Sequence, residues 1–184
     1  IRDRRKTDPG VQVPQGKKNN NPPALPFFGF PVKGCSPMHP EIDRTLLEIR
    51  PLQADDMPAA EGFTCGDADL DDFLRSDALR LQTQRAARTF VAVYEAELVG
   101  YVALLVDAIE LKPNERKKLD LHFRDHPMVP ALKIARLAVA VSFHGRRLGE
   151  TLVHFAAARV LDIEAHAGCR LLTVDAYPAA VGFY

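Results

Sequence analysis

LKIARLAVAVSFHGRRLGETLVHFAAARVLDIEAHA, residues 132–167, carries three local signals in order. Leu132 to Val141 is an apolar run of strand character. A short turn with Gly145 and Gly149 follows. Beyond it Leu148, Leu152, Phe155, Ala156, Arg159, Val160 and Ile163 recur at helical spacing, so most of one helix face belongs in the core. Gly168 stands near where a C-cap glycine would end that helix. A strand that feeds a glycine-bearing turn and then a helix leaves backbone N–H groups unpaired at the helix start. With the positive end of the helix dipole, those groups form a site for phosphate. The turn has neither the Gly-Lys-Ser/Thr of a Walker A loop nor the G-x-G-x-x-G of dinucleotide folds.

Downstream, CRLLTVDAY (169–177) reads as another strand, and Pro178 opens AAVGFY as a helix start. Upstream, Lys112 to Pro130 is polar, with Pro113, Pro127 and Pro130, and reads as a loop holding a helical turn. Its His122 and His126 are four apart, but no Glu stands between them in the hydrolase pattern and no third ligand is evident, so no zinc site is assigned. TFVAVYE (89–95) and ELVGYVALLVDAIEL (97–111) form a hairpin signal around Glu95-Ala96-Glu97. In FTCGDADLDDFLRSDALRLQTQ (63–84), Asp67 or Asp69 caps a helix whose apolar face is Leu70, Phe73, Leu74, Ala78 and Leu81. The acidic cluster Asp67, Asp69, Asp71 and Asp72 suits a helix start better than a calcium loop. LLEIRPL (46–52) is a first strand ended by Pro51. The layout is therefore α+β (or α/β), with a central mixed sheet and helices on its faces.

Hydrophobic residues make up 47% of the 184, enough for one domain with a real core. Lys+Arg 24 and Asp+Glu 24 cancel, but unevenly. Residues 1–37 hold seven Lys/Arg against two Asp, net +5, which leaves 17 basic and 22 acidic residues, net −5, for the rest. An acidic body argues against broad nucleic-acid binding, though not against a local basic patch. Residues 1–40, with eight of the 14 prolines and an Asn-Asn-Asn run, read as a disordered or non-native extension, and Met38 as the expected start. Three cysteines without a C-x-x-C pair fit a reducing cytoplasm. Cys65 and Cys169 read as structural, and no Ser lies on a nucleophile turn. No apolar run has the length of a membrane span, and no membrane association is expected.

ARLAV followed by SFHGRRLGE resembles motif A of the GNAT acyl-CoA N-acyltransferases. The resemblance extends over residues 44–184 and is strongest to the GNAT toxins of bacterial type II toxin–antitoxin modules. FTCGDADLDDFLR resembles their F-x-C-G-x-x-x-L-D-x-F-L start, and RTFVAV, LVGYVALLVDAI, LKIARLAV, VDA and the final FY follow in the right order. It implies a mixed, largely antiparallel sheet flanked by helices, with splayed central strands, and acetyl-CoA as co-substrate without a metal. On this resemblance the strand residues Leu137, Ala138 and Val139 line the acyl site. The backbone amides of Leu137 and Val139 bind the acetyl carbonyl and pantetheine. His144, Gly145, Arg146, Arg147, Leu148 and Gly149 hold the pyrophosphate, and Tyr184 is the general acid. The family turn Gln/Arg-x-x-Gly-x-Gly/Ala has His144, Arg147 and Gly149 at its keyed places. Arg147 thus replaces a glycine that lets phosphate approach closely, which lowers the expected coenzyme A affinity.

The toxin relatives acetylate the amino group of aminoacyl-tRNA, which would require a basic groove here. Arg80, Arg85 and Arg88 form its main cluster, with Arg75, Arg116, Lys117 and Lys118 as further cations. The same resemblance implies a small DNA-binding antitoxin of ribbon-helix-helix type and a homodimer. The family continues past the tyrosine into a last strand, so the chain is expected to be C-terminally truncated. Two other readings remain open at this point: a GNAT enzyme acting on a small-molecule amine or a protein, and a non-catalytic acyl-CoA-binding module.

Overall fold

The computed structural model describes residues 42–121 and 128–176. The N-terminal extension, His122, His126 and the segment from Pro178 to Tyr184 lie outside the described residues. Strands β1 (Leu47–Pro51), β2 (Arg88–Tyr94), β3 (Glu97–Glu110), β4 (Met128–Val139) and β5 (Leu171–Val174) form one sheet in that order. The first four pair antiparallel and β5 joins β4 in parallel. This is the mixed, largely antiparallel sheet read from the sequence.

Helices α1 (Met57–Glu61), α2 (Ala68–Asp72) and α3 (Ala78–Thr83) cover one face, and α5 (Leu148–Glu164) the other. The neighbours Gly100 and Tyr101 on β3 show this division, because successive residues of a strand point to opposite faces. Tyr101 is fully buried against Phe63 and Phe73, and its hydroxyl donates to the Leu70 carbonyl at 2.7 Å. Gly100 faces Leu148 and Leu152 of α5. With helices on both sides, β3 from Leu98 to Leu104 is buried without alternation. A short helix α4 (Pro113–Lys118) stands in the connection between β3 and β4.

Several boundaries differ from the sequence reading. β4 begins at Met128, before the apolar run, and passes through Pro130. The Pro130 carbonyl accepts from the Arg170 N–H at 3.0 Å, so the side of Pro130 that lacks its N–H faces away from β3 and no β3 bond is lost. At its other end β4 stops at Val139, and Val141–Phe143 forms a 3-10 turn. α5 ends at Glu164, and Gly168 has no left-handed φ, so it is not the cap. β5 covers only Leu171–Val174 of the longer apolar run. The helix begun at Asp67 is interrupted by a π-helical turn, Phe73–Asp77, with Ala78 N–H bonded to Phe73 O.

The acidic cluster is structural where it is buried. Asp67 caps α2 by accepting from the N–H groups of Asp69 and Leu70, at 3.0 and 3.3 Å. Asp71 accepts from Cys65 N–H at 2.8 Å and the Thr64 hydroxyl at 2.9 Å, which braces the loop before the helix. Burial, with Asp71 beside it, pushes the Cys65 thiol up to about 12, so it is protonated at neutral pH.

Asp56 and Arg50 lock the start of α1 to β1 through a two-pronged pair, at 2.7 and 2.8 Å, and Asp56 also accepts from Gln53 N–H at 2.8 Å. The Arg50 hydrogen bond holds the Asp56 carboxyl below its ordinary value. Its contribution is therefore present above the unfolded value, about 3.9, and is lost as pH falls through the folded one. Asp56→Asn is expected to cost about 1–3 kcal/mol at neutral pH. In urea unfolding, the gap to wild type should narrow as the pH is lowered below about 4. A gap independent of pH would remove the charge from this account.

Candidate active site

The sheet opens where β4 and β5 part. Their pairing ends at Ile134 opposite Val174, while β4 runs on through residues 135–139 without a β5 partner among the described residues. Across β3 the register slips at the same place: Leu104 faces Ile134 and Ala103 faces Arg136, which leaves Ala135 as a bulge. A bulge bends its strand and increases the local twist, and this one falls one residue past the last β4–β5 pair. Lys133 anchors the foot of the opening, with its ammonium 2.5 Å from Asp175 beyond β5 and 3.8 Å from Asp107 on β3.

Alternation then fixes which amides face the opening. Ala140 N–H donates to Val99 O at 2.8 Å, so even-numbered residues of this stretch bond to β3. The amides of Leu137 and Val139 are consequently turned to the open edge. The amide of Ala138 is turned to β3, and Ala138 is buried. Of the three strand residues named from the sequence, two present an N–H to the opening and one forms its wall.

The turn follows at once. His144 Nε2 lies 2.8 Å from the Val139 carbonyl, and since a carbonyl only accepts, Nε2 carries the proton. The ring thereby ties the turn back to the end of β4. Gly145 and Arg147 are both left-handed, with φ of 75° and 60°. Arg147 keeps the backbone shape of the glycine it replaces. It is also the N-cap of α5, and its side chain makes no capping hydrogen bond to the helix start. The Thr151 N–H bonds to Arg147 O at 3.2 Å, so the amides of Leu148, Gly149 and Glu150 precede the helical ladder. The Leu148 side chain is in the core, and only its backbone belongs to the turn. Arg146 lies over the Phe143 ring, 4.8 Å from its centroid. A start that its N-cap side chain does not cap, on a helix of 17 residues with Arg146 beside it, suits the pyrophosphate of a coenzyme.

Arg147 pairs within the first turn of α5. Its guanidinium grips Glu150 Oε2, at 2.9 Å from Nε and 2.8 Å from Nη2. Both side chains are largely exposed, so the pair adds little stability. Glu150 puts a negative charge in the first turn, where a phosphate would bind. Glu150→Gln is expected to tighten acetyl-CoA binding about three- to tenfold at low salt. Calorimetry reads this directly, and an unchanged or weaker Kd would place the phosphates elsewhere.

The remaining sequence-derived residues divide. Arg80, Arg85 and Arg88 are all exposed at the end of α3 and the start of β2, with Arg80 paired to Asp77 at 2.6 Å. Arg75 is committed to the fold, donating to Phe63 O at 2.8 Å and pairing with Asp72 at 3.2 Å. Arg116, Lys117 and Lys118 lie on α4. Of the four tyrosines, Tyr101 is spent on Leu70 and Tyr94 packs edge-on to Phe143. Tyr177 and Tyr184 lie outside the described residues. Sequence reasoning missed Gly100, Glu150 and Arg136. The last had a visible signal, one of only two charges, with Lys133, in a largely apolar strand. No described helix is long and apolar enough to cross a membrane.

Comparison with known proteins agrees with this geometry. The sequence profile of the acetyltransferase (GNAT) family matches residues 46–184. A tRNA-acetylating toxin of Mycobacterium tuberculosis (strain ATCC 25618 / H37Rv) is 30% identical over 135 residues, 73% of this chain and 80% of the relative. Among solved structures, AtaT complexed with acetyl-methionyl-tRNAfMet superposes with a TM-score of 0.66 at 25% identity, over 75% of this chain and 83% of the other. A tyrosine-to-phenylalanine mutant of the AtaT toxin, bound to the C-terminus of the antitoxin AtaR and acetyl-CoA, has a TM-score of 0.60 at 25% identity, over 75% and 81%. The chain belongs to the acetyltransferase (GNAT) family and is an N-acyltransferase.

Proposed function

We propose that the protein transfers the acetyl group of acetyl-CoA to the amino group of aminoacyl-tRNA and so acts as a translation-blocking toxin. The observation that carries this reading is the edge of β4 to which the Leu137 and Val139 amides turn, without a strand partner among the described residues, beside a helix start that its N-cap side chain does not cap. The tRNA-acetylating relative and the tRNA-bound structural neighbour support the acceptor. The antitoxin-bound neighbour supports a protein partner that neutralises the toxin. We take that partner to be of ribbon-helix-helix type, the active form to be a homodimer and the setting to be the cytoplasm. The catalytic domain is residues 44–184.

Acetyl-CoA supplies an acyl group on a thiol leaving group. The chain's residues do the rest. The Leu137 and Val139 N–H groups donate to the thioester carbonyl oxygen, and they bond more strongly as negative charge builds on it. The first-turn amides of α5, with Arg146, hold the phosphates. The acceptor amine attacks the carbonyl carbon, the C–N bond forms and the C–S bond breaks. Tyr184 gives its proton to the departing thiolate. An α-amino group with a pKa of about 7.7–8.0 is partly neutral near pH 7, so water suffices to remove its proton.

Cell-free translation tests the reading. With acetyl-CoA present, the purified protein is expected to arrest synthesis, and without it synthesis should proceed. Arrest that does not need acetyl-CoA, or no arrest in its presence, would contradict it.

A further inference from the structure

The opening between β4 and β5 has two faces. The phosphate-binding turn and α5 occupy one. A coenzyme held there leaves the reacting carbonyl to be attacked from the other, where α1, α2 and α3 lie. Arg136 stands on that second face. It pairs in register with Ala103, and Ala138 with Tyr101, so Arg136 projects on the side of the Tyr101 ring. Its guanidinium lies over the Phe73 ring, 5.7 Å from the centroid, and Nη1 donates to Ala135 O at 2.8 Å.

What distinguishes Arg136 is its place at the opening, not its lack of a carboxylate, which several other described arginines share. Arg50, Arg75, Arg80, Arg147 and Arg159 each hold a carboxylate within 4 Å. Arg136 is exposed and has no carboxylate partner among the described residues. It sits beside Leu137, at the bulge where the sheet opens. The Phe73 ring and the Ala135 bond hold the guanidinium in place and leave donors unspent, which suits phosphate binding. The other charge on this strand, Lys133, is held by Asp175 and Asp107.

We propose that Arg136, held over Phe73 at the mouth of the β4–β5 opening, binds the phosphate of the acceptor's terminal nucleotide. This rests on the aminoacyl-tRNA reading and adds the contact that selects such an acceptor. An amino acid esterified to the terminal ribose places that nucleotide's own 5′-phosphate one sugar away from the reacting amine. Arg136 lies one residue from the Leu137 amide, on the face the amine must use. A free amino acid or a protein lysine carries no such phosphate.

The test compares two small acceptors with the full chain and labelled acetyl-CoA: the 3′-aminoacyl ester of adenosine and that of adenosine 5′-monophosphate. Wild type is expected to prefer the phosphorylated ester by about tenfold or more in kcat/KM, expressed mainly in KM. Arg136→Gln should bring that ratio close to one, and Arg136→Lys should keep part of it. If Arg136→Gln lowers both acceptors alike and the ratio stays at its wild-type value, the proposal is overturned, because the residue then acts on the fold or the acyl site. If Arg136→Gln does not fold, Arg136→Lys decides by the same ratio. Wild type that acetylates both esters equally also overturns it, while the amine-acceptor reading survives. Wild type that acetylates neither ester, nor charged tRNA, overturns both.

Discussion

Tyr184→Phe is expected to lower acetyl transfer by about 10²- to 10⁴-fold, with acetyl-CoA affinity unchanged. The substitution removes one hydroxyl and leaves the ring, so packing changes little. Its effect should fall on the step in which the C–S bond breaks, since a thiol is a better leaving group than a thiolate. Tyr101 cannot substitute. Its hydroxyl is bonded to Leu70 O at 2.7 Å, and burial pushes it well above the ordinary tyrosine value. Single-turnover rates with saturating acetyl-CoA measure the effect. Turnover like that of wild type would mean that another group or water protonates the thiolate.

Gly100→Ala should produce the largest loss of stability from a single added carbon. A Cβ there would stand 2.9 Å from the Ala138 carbonyl, 3.4 Å from Leu152 and 3.6 Å from Leu148. The first contact is with backbone, which cannot rotate away, so β4 must shift. Overpacking of this kind costs about 1–3 kcal/mol, which lowers Tm by roughly 3–10 °C in a domain of this size. The strand that would move carries Leu137 and Val139 on either side of Ala138, so acetyl-CoA binding should weaken as well. A variant that melts like wild type and binds normally would show that β3 and β4 have slack at this crossing.

The strand, turn and helix of residues 132–167 were legible because their hydrophobic periods change at the turn, and the β2–β3 hairpin followed from the two apolar runs around Glu95-Ala96-Glu97, while the order of the whole sheet did not. The backbone amides of Leu137 and Val139 were legible through the family resemblance, and the alternation of a strand explains why those two and not Ala138 face the opening. Other features depend on contacts that no local pattern encodes. Pro130 looked like a strand breaker, but it lies where a missing N–H disturbs no bond with β3. The bulge at Ala135 is a slip between two strands, and either strand alone looks regular. The π-helical turn at Phe73–Asp77 kept its apolar spacing, so the helix read as uninterrupted. Arg147 was recognised as a substitution for glycine, yet its left-handed backbone and its grip on Glu150 appear only when the turn is folded.

On the function proposed above, the open edge of β4 and the start of α5 position acetyl-CoA for attack by an aminoacyl-tRNA amine. Incubation of the protein with labelled acetyl-CoA and either charged or uncharged tRNA tests it most directly. Label on the charged tRNA alone, released as the N-acetyl amino acid when the ester is hydrolysed, is the predicted result. Label on neither RNA, or equally on both, would contradict it.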